Sequence, residues 1–295
     1  MVINQLLKAK KQPLIMGIIN TTPDSFIPFS RKISIKNAIS AALKMVSDGA
    51  DIIDIGGEST RPGAVYIDES EELKRVIPVL KEIVLNVKVP VSIDTRKSRV
   101  AYEALNAGAA IINDISAMED DPAMPEVVKD AECDIIIMHK KGIPSNMQKE
   151  IFYTDVIAEI YQKLEKVIEN AVSKGIDGSK ITIDPGLGFG KRAEDDLAII
   201  NNITDFKKMG FPVLIGHSRK SFIGAVTGKN KEERLAGSLA AGVVSIINGA
   251  DILRVHDVKE TSDAVKIVHM IRGTREASAL AGQTQAVLPQ PVKEC

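Results

Sequence analysis

Residues 249–257 read GADILRVHD, and the same pattern recurs at 49–57 (GADIIDIGG) and 108–116 (GAAIINDIS). In each, a Gly-Ala pair suited to a helix end runs straight into an apolar strand that closes on polar residues. That is the short helix-to-strand connection of a βα repeat. Working outward, eight apolar runs end this way: LIMGII on Asn20, DIIDI on Gly56, VSI on Asp94, AIIN on Asp114, DIIIM on His139, ITI on Asp184, VLIG on His217 and DILRV on His256. Stretches with helical periodicity lie between them, at Ala38–Met45, Leu73–Ile83, Val156–Val172 and Val258–Ile271. Strands alternating with helices pair in parallel through right-handed crossovers. Eight such units predict an α/β fold, a (β/α)8 TIM barrel, whose polar strand ends gather on the rim that carries barrel active sites.

The 295 residues divide into a lead-in (1–12), one barrel domain (13–272) and a loose C-terminal tail (273–295) with little periodicity. The unit joining the third and fourth strands spans about twenty residues, so its helix is expected to be short. Hydrophobic residues are 44% of the chain and aromatics only 4%, with no Trp, so Ile, Val, Leu and Ala must fill the core. That composition suits strands buried on both faces. A net charge of −1 without a basic stripe argues against a nucleic acid or anionic membrane partner. Two cysteines are too few for a disulfide framework and fit a reducing compartment. The N-terminal residues lack a signal-peptide pattern and no run reaches membrane-span length, so a cytoplasmic location is expected.

The chemistry-bearing segments follow the strands. GHSRKSFIG (216–224) is a Gly-polar turn opening a helix, whose free N–H groups, with Arg219, Lys220 and Ser221, favour an anion. DPGLGFGK (184–191) is rich in glycine, but its spacing matches neither nucleotide-binding fingerprint. It reads instead as a turn that lets Asp184 and Phe189 approach a ligand. GGESTRPG (56–63) offers Thr60 and Arg61 to an anion, with Pro62 stiffening the loop. Asp94 and Asp184 can each accept paired N–H bonds from an amidine-like edge, and Asn113 can complete the pattern. With Lys220 they make a site for a flat, hydrogen-bonding ring. Arg254 and His256 read as anion ligands; His139, His217 and His269 read as structural. No zinc pattern is present, and a hard cation such as Mg²⁺, held by substrate phosphates and one amide oxygen, suits the rest.

Seven segments in order, MGIINTTPDSF, GADIIDIGGESTRPG, PVSIDT, INDIS, DPGLGFGK, GHSRKSFIG and GADILRVHDV, resemble the dihydropteroate synthase family across residues 13–271. These folate-biosynthesis transferases are the sulfonamide targets. The resemblance implies that p-aminobenzoate displaces pyrophosphate from 6-hydroxymethyl-7,8-dihydropterin pyrophosphate, giving 7,8-dihydropteroate. It implies pterin contacts from Asp94, Asn113, Asp184 and Lys220. The pyrophosphate would fall to Thr60, Arg61, Arg254, His256 and, through Mg²⁺, Asn20. Ser221 would take the benzoate carboxylate, with Pro62, Phe189 and Arg219 around it. Asp94, Lys220, Arg254 and His256 would carry the catalysis, in a cytoplasmic homodimer.

Two departures stand out. Where the family continues Ser-Asp-Gly-Gly after TTPDSF, this chain reads Ile27-Pro28-Phe29-Ser30, and Lys140 and Lys141 replace residues that are commonly Met and Gln. The first leaves open a paralogue that binds pterin with an altered second substrate. A methyltetrahydrofolate-dependent corrinoid methyltransferase would share Asp94, Asn113 and Asp184, but would not need the Arg219–Ser221 helix start or the Arg254/His256 pair.

Overall fold

Strands β1 (Leu14–Asn20), β2 (Ile52–Gly56), β3 (Val91–Asp94), β4 (Ile111–Asp114), β5 (Asp134–Met138), β6 (Ile181–Asp184), β7 (Leu214–Ile215) and β8 (Ile252–Val255) pair in parallel. They form one eight-stranded sheet in the order β6-β5-β4-β3-β2-β1-β8-β7. A parallel bridge between Ile183 and Val213 brings its two outer strands together, so the sheet closes into the expected barrel. The computed structural model describes residues 1–21, 31–61, 63–143, 147 and 151–285, with 31–34 and 274–285 described in backbone only. Pro62 and the Ile27–Ser30 departure lie outside the described residues.

Successive side chains on a strand point to opposite faces, and this parity sorts the core. Ile15, Ile53, Ile93, Ile112, Ile137, Ile183, Ile215 and Leu253 face outward and pack under the helices. Leu14, Met16, Ile52, Ile111, Ile136, Leu214 and Ile252 face inward and form an apolar plug at the barrel's N-terminal end. The lead-in closes that end as helix α1 (Val2–Lys10), which places Ile3 in the plug. Asp134 anchors it, accepting from the Ile3 N–H at 2.8 Å, with the terminal amine 3.4 Å away. Higher in the barrel the inward positions turn polar, through Asp54, Asn113 and Arg254 to Asn20, Asp94, Asp184 and His256. The site therefore rests on a sealed apolar floor.

The outer layer is α2 (Arg31–Ser47), α3 (Glu69–Asn86), α4 (Ser98–Asn106), α5 (Met124–Ala131), α6 (Val156–Ser173), α7 (Ala193–Asn201), α8 (Ile203–Lys207), α9 (Ser221–Thr227), α10 (Leu235–Ile247) and α11 (Val258–Gln285). As expected, the helix between β3 and β4 is short, at nine residues. One boundary differs. The last helix runs to Gln285, well past the expected start of a loose tail at 273. Residues 274–285 (TREASALAGQTQ) are mostly good helix formers without an apolar stripe, so propensity extends the helix where periodicity is silent. Among the described residues no helix is long and apolar enough to cross a membrane.

Candidate active site

Parity also decides which strand ends look into the barrel mouth. Asn20, Asp94, Asn113, Asp184 and His256 fall on inward positions, whereas Asp114, His139 and His217 fall on outward ones. Asp114 is consumed locally: it accepts from the Ser116 N–H and hydroxyl at 2.7 and 2.6 Å and from the Met118 N–H at 2.8 Å. That turn carries Ala117 and Met118 at positive φ. His217 is buried against Gly242 of α10, and burial holds its pKa down at about 4. Neither His139 nor His217 faces the mouth.

The mouth is a cavity of about 290 Å³ lined by Asn20, Thr60, Arg61, Asp94, Phe189, Arg219, Lys220, Ser221, Arg254 and His256. The structure thus gathers on one cavity most residues assigned from sequence. Asn113 and Asp184 lie just beneath, 4% and 6% exposed. Glu58, Lys231 and Arg234 join the lining and were not anticipated. Lys231 belongs to a 3-10 turn (Lys231–Glu233) whose charged run reads in sequence as ordinary surface. Burial, then the neighbouring Arg61, lowers its pKa. Arg234 is tied to main chain, donating to the carbonyls of Arg219 and Lys220 at 3.2 and 3.3 Å.

Arg254 sits lower than an exposed anion ligand would. Its Nε donates to Asp54 at 2.7 Å and its Nη2 to Asp94 at 2.6 Å, so one guanidinium bridges carboxylates of β2 and β3. Asn113 donates to the same Asp54 oxygen at 3.2 Å. Asp54 is the main omission of the sequence reading, and its signal was a charge in the middle of the apolar run DIIDI. Among the described residues its Oδ1 is buried without a partner. Burial raises Asp94 to about 7, with Arg254 opposing the shift and Asp54 adding to it. Asp94 therefore exchanges its proton near neutrality. Burial disfavours the Arg254 charge, yet Asp54 and Asp94 hold it firmly protonated.

Asp184 accepts from the Gly186 N–H at 2.7 Å through Oδ1, which leaves its other oxygen for a ligand. Burial raises its pKa, and the Lys220 ammonium pulls it back. Lys220 donates to the Leu187 carbonyl and lies 4.7 Å from the centroid of the Phe189 ring. Arg219, at φ +55°, turns its guanidinium onto Asp257 with bonds of 2.8 and 2.7 Å. Its charge is already paired, so Ser221 is the freer anion partner at the start of α9. His256 Nδ1 is 3.0 Å from the Ser218 hydroxyl, and burial together with Arg254 and Lys231 lowers its pKa to about 4. It is a neutral imidazole at pH 7.

Lys140 does not enter this cavity. It pairs with Asp120 at 2.6 Å, and Asp120 is 3.6 Å from Arg96, whose guanidinium stacks 3.5 Å over the Tyr66 ring. The substitution noted there ties together the loops after β2 to β5. Lys141 instead donates to the Phe152 carbonyl at 2.6 Å.

With this geometry in place, the comparisons agree. Residues 16–256 match the family model described as pterin binding enzyme. The dihydropteroate synthase of Bacillus subtilis (strain 168) is 43% identical over 262 residues, covering 89% of this chain and 90% of that protein. That of Escherichia coli (strain K12) is 40% identical, over 90% and 93%. Among solved structures, Yersinia pestis dihydropteroate synthase in a sulfonamide drug complex aligns with a TM-score of 0.85 at 39% identity, over 89% and 95% of the two chains. The Xanthomonas albilineans enzyme in complex with 7,8-dihydropteroate aligns with a TM-score of 0.81 at 37% identity, over 88% and 94%. Coverage runs nearly end to end in both directions, and the chain belongs to the dihydropteroate synthase family of pterin binding enzymes.

Proposed function

We propose that this chain condenses 6-hydroxymethyl-7,8-dihydropterin pyrophosphate with p-aminobenzoate, releasing pyrophosphate and 7,8-dihydropteroate. The observation that carries the reading is one cavity with two chemically distinct walls. Carboxylates and an amide (Asp94, Asn113, Asp184) form its floor, and cations (Arg61, Lys220, Lys231) stand at its mouth. The floor suits a flat ring rich in N–H donors, with Asp184 accepting from an amidine-like edge and Asn113 serving either polarity. Thr60, Arg61 and His256, with Lys231 added, suit the polyanion.

Displacement at the exocyclic methylene develops positive charge on the pterin as the leaving group departs. Asp94 and Asp54 stabilise that charge from below, and Arg254 bridges the two carboxylates. Lys220 sits between ring and leaving group. The aniline nitrogen is already a competent nucleophile, so Ser221, Phe189 and Pro62 need only orient it. Arg254 serves this scheme as the clamp of the floor more than as a pyrophosphate ligand.

A divalent cation fits the residues present in one manner. Among the described residues no group of three or more His, Cys, Asp or Glu could hold a metal, so no cage of protein ligands is built. Asn20, a hard amide oxygen on the cavity wall, fits Mg²⁺ held chiefly by substrate phosphates. Bound there, Mg²⁺ would neutralise charge on the departing pyrophosphate.

We also propose a homodimer built on the cleft between α7, α9 and α10. Leu197, Val226 and Val244 there are 45%, 64% and 43% exposed, a large apolar face for one chain to present to water. Sedimentation equilibrium should give twice the 31.9 kDa chain mass. A monomer at micromolar concentration would remove this element. The buried free thiol of Cys133 suits a reducing compartment such as the cytoplasm.

The decisive assay follows pyrophosphate release and dihydropteroate formation together, with pterin pyrophosphate, Mg²⁺ and p-aminobenzoate. Equal rates are expected. Release without condensation would instead indicate an altered second substrate, and no release with tight methyltetrahydrofolate binding would indicate methyl transfer.

The neutral His256 makes a further expectation. A polyanion beside it should raise its pKa from about 4 toward neutrality, so pyrophosphate binding near pH 6 takes up a proton at this residue. Calorimetry in buffers of different ionisation enthalpy reads that uptake, with His256→Asn as the reference. Equal uptake by the two proteins would show that His256 does not meet the phosphate.

A further inference from the structure

The turn 184–191 (DPGLGFGK) resembles an anion-binding loop in composition, but it is built in the opposite sense. Gly186, Gly188 and Gly190 adopt φ of +73°, +77° and +67°. A Cβ on Gly186 would lie 2.0 Å from the His139 carbonyl oxygen, and one on Gly190 would lie 2.2 Å from that of Lys141. Glycine here lets the turn lie directly against the backbone leaving β5. In this conformation carbonyls, not N–H groups, converge on one point.

That point is occupied by the chain's own cation. The Lys191 ammonium, on a residue 2% exposed, donates to the carbonyls of Gly186 at 2.8 Å, Phe189 at 3.2 Å and His139 at 3.3 Å. It also lies 2.9 Å from His139 Nδ1. The ammonium has no lone pair to offer, so His139 accepts through Nδ1 and carries its own proton on Nε2. Burial and the Lys191 charge keep that imidazole neutral. Among the described residues Lys191 makes no ion pair. Burial lowers its pKa, and the Asp196 and Asp184 carboxylates oppose that shift.

The other carbonyls of the turn are held from outside as well. Leu187 accepts from Lys220, and Gly190 accepts from the Tyr153 hydroxyl at 3.0 Å. The Gly188 N–H donates to Asp196 of α7 at 2.7 Å. The turn has one backbone bond of its own, from the Phe189 N–H to the Gly186 carbonyl at 3.2 Å, and side chains hold the rest of its shape. Lys191 joins the turn directly to the end of β5 by hydrogen bonds, and the Tyr153 ring lies beside His139 there.

We propose that Lys191 is a positioning residue for the second-substrate side of the site. Its caged ammonium fixes the turn that carries the Phe189 ring and the Leu187 carbonyl on which Lys220 rests. This inference rests on the function proposed above. It separates the two substrates, because Asp94 and Asn113 belong to β3 and β4 and Asp184 is fixed as the last residue of β6, whereas Phe189 stands on the far part of the turn.

Lys191→Met keeps the chain length and removes the donors. Calorimetric affinity of p-aminobenzoate for the complex with pterin and pyrophosphate should fall on the order of tenfold or more, as should its KM advantage. Affinity for the pterin alone should stay within about threefold. Unchanged p-aminobenzoate affinity would overturn the proposal, and so would a parallel loss for both ligands with a lower Tm, the mark of a purely structural role. If Lys191→Met does not fold, His139→Leu removes one acceptor and leaves the three carbonyls. It should show the same split at smaller amplitude, and its absence would be equally adverse. Because binding is the readout, failure of wild-type turnover would count against the proposed function without deciding the role of Lys191.

Discussion

Asp184→Ala is expected to weaken binding of 6-hydroxymethyl-7,8-dihydropterin by about 10²–10⁴-fold. Two charge-assisted hydrogen bonds from a ring edge are worth roughly 1.5–3 kcal/mol each in a buried setting, and both depend on this carboxylate. The loss has a second component. Lys220, whose ammonium faces Asp184, is left with a carbonyl and an aromatic face as partners. Titration calorimetry reads the effect directly. Asp114→Asn is the control, since Asp114 ends β4 but closes its own turn, and pterin affinity should survive the change. If Asp184→Ala bound the pterin normally, the ring would have to lie elsewhere.

Arg254→Met should be the most destabilising change in the site, and its cost should depend on pH. Removing one partner of a buried ion pair typically costs about 3–5 kcal/mol, and here two carboxylates lose the same guanidinium. The sign follows from Asp94. Its folded-state pKa, about 7, lies above the ordinary value of 3.8, so the folded protein holds a proton that the unfolded chain releases. Stability from this group is complete below pH 3.8 and is lost as pH rises through 7. Without Arg254, which opposes the shift, Asp94 moves further upward, so the loss in the variant should be modest near pH 5 and large near pH 8. Urea denaturation at the two values measures it. A loss independent of pH would mean that the pair of acids does not depend on Arg254. Pterin turnover should fall with stability, because the same guanidinium holds Asp54 and Asp94 in place.

These two cases show what the sequence could disclose. The apolar runs disclosed the strands, and the polar residue closing each run disclosed the rim. Asp94, Asn113, Asp184 and Lys220 could be assembled into a ring site because their donor and acceptor chemistry is the same wherever they stand. Orientation was less accessible. Asn113 and Asp114 are adjacent in sequence, yet one faces the cavity and the other caps a turn, and only the sheet register separates them. The bridge from Arg254 to Asp54 spans 200 positions and cannot be seen from either end. It gives Arg254 a place as the clamp of the floor beside the anion role read from sequence. In the same way, the pairing with Asp257 removes Arg219 from the free charges. Lys231 was hidden within a surface-like charge run. The glycines of 184–191 were visible, but that they cage a lysine depends on the backbone beyond β5.

The account places a flat ring on the carboxylate floor and an anion at the cationic mouth of one cavity. The most direct test is a crystal structure of the protein with 6-hydroxymethylpterin and pyrophosphate. The account predicts ring nitrogen atoms about 2.7–3.2 Å from Asp184 and Asn113, and phosphate oxygens near Arg61, Lys231 and His256. A ring bound outside the barrel mouth, or phosphate seated on the floor beside Arg254, would contradict it.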